Sequence, residues 1–226
     1  MVFSDLFFLF VFIPAFALCY LLGGIIDRNI LNKDVRRTHQ ARNMSLVIFS
    51  LIFYAWGEPV YVFLMMLCVL ANYVIGLQID KQELHRKAAL AVGLVVNIAV
   101  LGVFKYANFF ADILSQVGIP VNSPNIALPI GISFYTFQSI SYLIDVYRKE
   151  SPVQHRFVDL LLYISMFPQL IAGPIVRYGT IADNIHQRHA STADIAYGVQ
   201  RFLVGLGKKV ILANQLSEIS DLLLKR

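Results

Sequence analysis

Leu128-Pro-Ile-Gly-Ile-Ser-Phe-Tyr-Thr-Phe-Gln138, continued by Ser139-Ile-Ser-Tyr-Leu-Ile-Asp-Val-Tyr-Arg148, is the stretch on which the reading of this chain turns. At 1.5 Å per helical residue it reaches about 30 Å, the thickness of a bilayer core. On a helical wheel Tyr135, Gln138, Tyr142 and Asp145 share a narrow arc, and Phe137, Ile140, Leu143 and Ile144 take the other side. A carboxylate and an amide in hydrocarbon each cost several kcal/mol, so the polar arc must meet protein or water. It either packs against neighbouring helices or lines a cavity. Pro129 sits where a missing N–H does no harm, and Gly131 allows close backbone approach.

The surrounding chain has the composition of a membrane protein. Its 226 residues are 58% hydrophobic and 15% charged, against about half and a quarter for a soluble domain. The fold class expected is all-α: a polytopic membrane protein in one domain over 1–226. Eleven of the 19 Lys and Arg lie within 28–42, 81–87 and 148–156. That clustering marks basic cytoplasmic loops and argues against a nucleic-acid surface. Cys19 and Cys68 lie inside apolar runs and read as small hydrophobes. No Lys or Arg precedes Arg28 and the first apolar run is too long for a signal core, so no cleavable signal peptide is expected.

Working outward, Phe3 to Ile26 reads as a first span with Ser4 and Asp5 as caps. Met44–Trp56 and Val60–Leu77 read as a hairpin broken at Gly57-Glu58-Pro59. Ala88–Phe104 reads as an outward span, followed by an amphipathic surface helix over Phe109–Val117 and a turn at 118–127. The alternation puts the N-terminus outside, with Leu128–Arg148 returning inward. Phe157–Ile175 carries Pro168 in mid-run and Gly173-Pro174 at its end, which predicts a broken or re-entrant segment. Arg177 is then an interface anchor or a charge aimed into a cavity. His186 and His189 have a spacing open to metal, but no Cys or acid partner supports it. In Ile195–Leu224 the Gly205-Leu-Gly-Lys-Lys209 sequence interrupts an apolar run; Lys208 and Lys209 are a positive-inside marker or a contact for an anionic ligand. The chain stops in mid-pattern at Leu224-Lys-Arg226, as a truncation would.

Three motifs in order carry a resemblance: Leu128–Gln138 with Ser141–Tyr147, then Phe167-Pro-Gln-Leu-Ile-Ala-Gly-Pro-Ile-Val-Arg177, then Gly205–Ala213. Together with Tyr54-Ala-Trp56 they resemble the core of the bacterial membrane-bound O-acyltransferases. The branch they are most similar to acts in O-acetylation of alginate and other exopolysaccharides; a sister branch moves D-alanine onto teichoic acids. The resemblance implies tilted and broken transmembrane helices forming part of a funnel through the bacterial inner membrane. An acyl group passes from a cytoplasmic thioester donor, acetyl-CoA or a carrier-protein thioester, to an outer acceptor. No cofactor is bound in such a scheme, and the family's histidine serves as general base. His39, His85, His155, His186 and His189 all lie in polar loops, so no catalytic residue is assigned here. The chain reads as the N-terminal half, inactive alone, with the missing C-terminal half and a periplasmic acetyltransferase as expected partners. Pro129, Gly131, Ser133, Tyr135, Gln138, Tyr142, Asp145, Pro168, Gln169, Gly173, Pro174 and Arg177 are the expected funnel lining, and Lys208 and Lys209 the donor side. The competing readings are a transporter-like protein and a non-catalytic scaffold for a periplasmic acetyl carrier. Without the second half, the polar arc of 128–148 is expected to face lipid and to destabilise the chain.

Overall fold

The computed structural model describes residues 3–29, 39–81, 84–117, 126–170, 176–186, 188 and 190–224, and all regular structure among them is helical. Helix α1 runs over Phe8–Asn29, with its first turn, Phe8–Phe12, π-helical. Asp5 starts it, its carboxylate accepting the Phe7 N–H at 3.3 Å. Helices α2 (Gln40–Gly57) and α3 (Tyr61–Lys81) form the hairpin expected around Gly57-Glu58-Pro59. α4 follows over Arg86–Gln116 and α5 over Ile132–Arg148. Three of these, α1, α3 and α4, are long and apolar enough to cross a membrane. Their outward residues, among them Phe10, Leu18, Phe63, Leu67 and Val95, are at least 60% exposed, an arrangement that only hydrocarbon surroundings make inexpensive. The chain is a multi-pass helical membrane protein.

α1 lies along α2, and α5 packs into the seam between α3 and α4. Small residues open that seam. A Cβ at Gly76 would stand 2.8 Å from the Tyr142 hydroxyl, and one at Gly93 would stand 2.5 Å from Leu143 Cδ1. Glycine on each wall therefore lets a tyrosine and a leucine of α5 enter between the two helices.

The chain ends of these helices are tied by one guanidinium. Arg86 donates through Nε to Ile79 O at 3.1 Å and through Nη2 to Tyr147 O at 2.8 Å. It thereby satisfies the last carbonyls of α3 and α5 together.

Several expectations change. The surface helix over Phe109–Val117 is absent as a separate element: α4 continues unbroken for 31 residues, because nothing between Phe104 and Gln116 interrupts the backbone hydrogen bonds. The first hairpin arm is 18 residues long rather than thirteen. α5 begins at Ile132, since Gly131 takes φ +78°, outside the helical region. The broken segment is real, but the break falls at Met166, between α6 (Phe157–Ser165) and α7 (Phe167–Leu170). Pro168 sits in the first turn of α7, where its missing N–H is harmless. Beyond α8 (Tyr178–His186), α9 (Thr192–Gly207) runs through a π-helical turn, Lys208–Ala213, into α10 (Asn214–Leu224). The glycines at 205 and 207 therefore do not interrupt the helix. Gly173, Pro174, His189 and the basic loop 30–38 lie outside the described residues, as does the side chain of His186.

Candidate functional site

The polar arc of α5 is interior. Tyr135, Gln138 and Tyr142 are no more than 1% exposed, so no water-sized space touches them. Tyr142 accepts the Gln154 N–H at 3.1 Å, and Gln154 Nε2 donates to the Tyr178 hydroxyl at 3.0 Å. The Tyr142 and Tyr178 rings meet edge-on at 5.1 Å. Leu143, placed by the wheel on the opposite side, is as buried as Tyr142. The wet hollow expected beside Gln138 is therefore a packed seam, and the arc does not face lipid either, since α3, α4 and α6 surround it. The physical reason is the glycine pair of that seam, which the wheel of a single helix does not register. Gln169 is likewise buried on α7.

Asp145 differs. It opens on a groove of about 320 Å³ whose wall is Phe137, Ile140, Ser141 and Ile144, and whose end holds Arg148 and Arg177. Asp145 and Arg177, far apart in sequence, both line this groove. Arg148 was not expected; it lies 3.7 Å from Glu150. An apolar wall ending in two guanidiniums and a carboxylate suits a ligand with an anionic or hydroxyl-rich end.

Pro129, Gly131 and Ser133 line a smaller groove of about 180 Å³ at the other end of α5. The hairpin holds this segment in place: Tyr54 donates to Ile130 O at 2.9 Å, and Tyr61 to Ala127 O at 3.1 Å. Asn108 brackets Ile126, donating to its carbonyl at 2.7 Å and accepting its N–H at 3.1 Å. A Cβ at Gly131 would lie 3.3 Å from Leu170 O, so glycine also lets this turn touch α7.

Lys208 and Lys209 do not form one basic site. Lys208 shares a polar groove of about 370 Å³ with Tyr197, Gln200 and Arg201. Lys209 lines an adjoining apolar crevice of about 600 Å³, which shares Gly205 with that groove and also reaches Phe167 and Pro168. Consecutive helical residues diverge by about 100°, which is enough to divide them.

A polar cluster that sequence reasoning missed joins α1, α2 and the segment after α8. Asp27 accepts the Ala41 N–H at 2.8 Å and the Arg42 N–H at 3.2 Å, capping α2 from the neighbouring helix. Arg42 and Arg188 both lie over the Tyr20 ring, at 5.4 and 5.8 Å. Arg188 donates to Asn43 Oδ1, while Asn43 Nδ2 donates to Asp159 at 3.3 Å and to Ile185 O at 3.1 Å. Burial is the main influence pulling the Arg188 guanidinium below its usual value. An acid at the end of one apolar run, facing an Arg-rich start of the next, is the sequence signal that marks such a cap. His39 accepts the Arg188 N–H at 3.3 Å, and the His155 carbonyl accepts from Tyr73 at 2.9 Å. Among the described residues no group of three or more His, Cys, Asp or Glu is placed to hold a metal.

Glycine-opened helix packing, a backbone break inside an apolar segment and polar groups sequestered within the bundle define an integral membrane protein built around its interior. The chain is 40% identical to the probable alginate O-acetylase AlgI of Pseudomonas aeruginosa, over 98% of this chain and 41% of the relative. It is 39% identical to the probable AlgI of Azotobacter vinelandii, over 98% and 43%. It is 29% identical to the peptidoglycan O-acetyltransferase of Helicobacter pylori, over 92% and 45%. Over nearly its whole length the chain is thus similar to proteins named as alginate O-acetylases and, more distantly, to one named as a peptidoglycan O-acetyltransferase. It spans about two fifths of the length of these relatives. No family model matches the chain. No solved structure matches it.

Proposed function

We propose that this chain forms one wall of a membrane-bound O-acetyltransferase that carries acetyl groups toward an extracytoplasmic polysaccharide such as alginate. The single observation that carries this reading is the 40% identity to an alginate O-acetylase across nearly the whole chain. In the reaction a glycan hydroxyl attacks the thioester carbonyl, the C–S bond breaks, and the hydroxyl proton passes through a general base to the departing thiolate. The base is a histidine contributed by the part of the family fold that this chain does not span. The chain works in the bacterial inner membrane with its N-terminus outside, together with that remaining part and a periplasmic acetyltransferase.

Within this scheme the groove of Asp145, Arg148 and Arg177 is the wall that meets substrate. The polar groove of Arg201 and Lys208 is the better donor-side candidate, since both cations and Gln200 can meet phosphate. The donor is acetyl-CoA or an acetylated carrier protein.

A second acceptor has an observation in its favour: the Helicobacter pylori relative is named for peptidoglycan. Membrane vesicles bearing the whole protein that contains this chain, supplied with radiolabelled acetyl-CoA, test both. Label in added alginate supports the first acceptor and label in peptidoglycan the second. Label in neither polymer, with donor intact and protein folded, rejects acetyl-CoA-driven acetylation of either.

A further inference from the structure

Among the described residues, two π-helical turns and the helix break at Met166 border one crevice. The π-helical turn Phe8–Phe12 contributes Phe8, the break at Met166 delivers Phe167 and Pro168, and the π-helical turn Lys208–Ala213 contributes Lys209. The crevice, open on one side, has a volume of about 600 Å³. Irregular backbone inside a membrane protein survives where it lines a cavity, and π-helical turns gather at functional sites. α9, which lines the crevice through Phe202, Gly205 and Leu206, buries no residue.

The chemistry of the lining selects among ligands. It is aromatic and aliphatic apart from Ser4 and the ammonium of Lys209. A pantetheine arm carries two amides that would find almost no partner there, and a sugar fares worse. A hydrocarbon chain needs none. One cation at the rim of an apolar slot then calls for an anion attached to that chain.

We propose that this crevice holds one acyl chain of an anionic phospholipid of the bilayer, with the lipid phosphate at Lys209. The bound chain fills the gap between α1, α7 and α9 and seats the long C-terminal helix against the bundle. This site is separate from the groove at Asp145 and does not depend on the acetyl-transfer reading.

Native mass spectrometry of the chain, released from detergent with equal amounts of palmitoyl-oleoyl phosphatidylglycerol and phosphatidylcholine, reads the site directly. The wild type retains one phosphatidylglycerol in preference to phosphatidylcholine. Lys209→Gln lowers that preference about fivefold, the worth of one lysine at a lipid surface, and Lys209→Arg keeps it. Gly205→Phe fills the slot; Gly205 has open space at its Cβ position, so the helix accepts the change. That variant loses retention of both lipids. Equal retention of the two lipids by the wild type overturns the proposal. So does an unchanged preference in Lys209→Gln, or unchanged retention in Gly205→Phe. A wild type that retains neither lipid overturns it as well, and assigns the crevice to protein.

Discussion

Asn72 and Asn97 hold each other. Asn72 Nδ2 donates to Asn97 Oδ1 at 3.1 Å, and Asn97 Nδ2 donates back to Asn72 Oδ1 at 2.7 Å. Each amide gives its second proton to the carbonyl four residues earlier, Cys68 O and Gly93 O, both at 2.8 Å. Two fully buried amides are thus satisfied without water, one helical turn from the glycines that admit Tyr142 and Leu143. The spacing Asn72-x3-Gly76 on α3, mirrored by Gly93-x3-Asn97 on α4, builds clamp and slot on one face of each helix.

Breaking that clamp on one side leaves the other amide stranded. Asn72→Ala or Asn97→Ala is expected to lower stability by about 1–2 kcal/mol, and the double substitution by less than the sum. A double-mutant cycle of unfolding in detergent measures this; strict additivity would show that the pair is not coupled.

Filling the slot strains α5. Gly93→Ala drives a methyl against Leu143, and Gly76→Ala drives one against the Tyr142 ring; each is expected to cost about 1–3 kcal/mol despite the gain in helix propensity. Thermal unfolding followed by circular dichroism checks it. A raised midpoint in both variants would contradict the packing described here.

Arg86 caps two helices with a planar fork, a geometry an ammonium does not reproduce. Arg86→Ala should destabilise by about 1–3 kcal/mol, and Arg86→Lys should recover only part. Full recovery by lysine, read by chemical unfolding, would reduce the role of Arg86 to charge alone.

Asp27 caps α2 through two backbone amides. Its replacement by Ala is expected to cost about 0.5–2 kcal/mol and to loosen the start of α2. Hydrogen exchange at the Ala41 and Arg42 amides reports the loosening; protection equal to the wild type would remove the cap from the account.

The groove at Asp145 supports a functional prediction. In the whole protein, Arg177→Ala is expected to lower acetyl transfer by about tenfold while leaving the folded fraction unchanged, the effect of losing one charge contact to substrate. Vesicle acetylation with a matched expression control measures it. Full activity in that variant would return Arg177 to the status of an interface anchor.

Length, apolar runs and breaker residues in the sequence determined the helical membrane architecture, the hairpin at Gly57-Glu58-Pro59 and the interruption in 157–175. These follow from local backbone chemistry: spans need about twenty apolar residues, and a clustered glycine and proline such as Gly57-Glu58-Pro59 favours a turn. The motifs also carried the resemblance to O-acetyltransferases. Which side of α5 would be dry was decided only in three dimensions. A wheel ranks residues by polarity, whereas the burial of Tyr142 depends on Gly76 of α3 and on Tyr178 of α8, which the wheel of one helix does not contain. The shared groove of Asp145 and Arg177, the double cap by Arg86 and the division of Lys208 from Lys209 are long-range or rotational facts of the same kind. Contacts between distant elements form only once those elements pack, because no local energy term in either segment refers to the other.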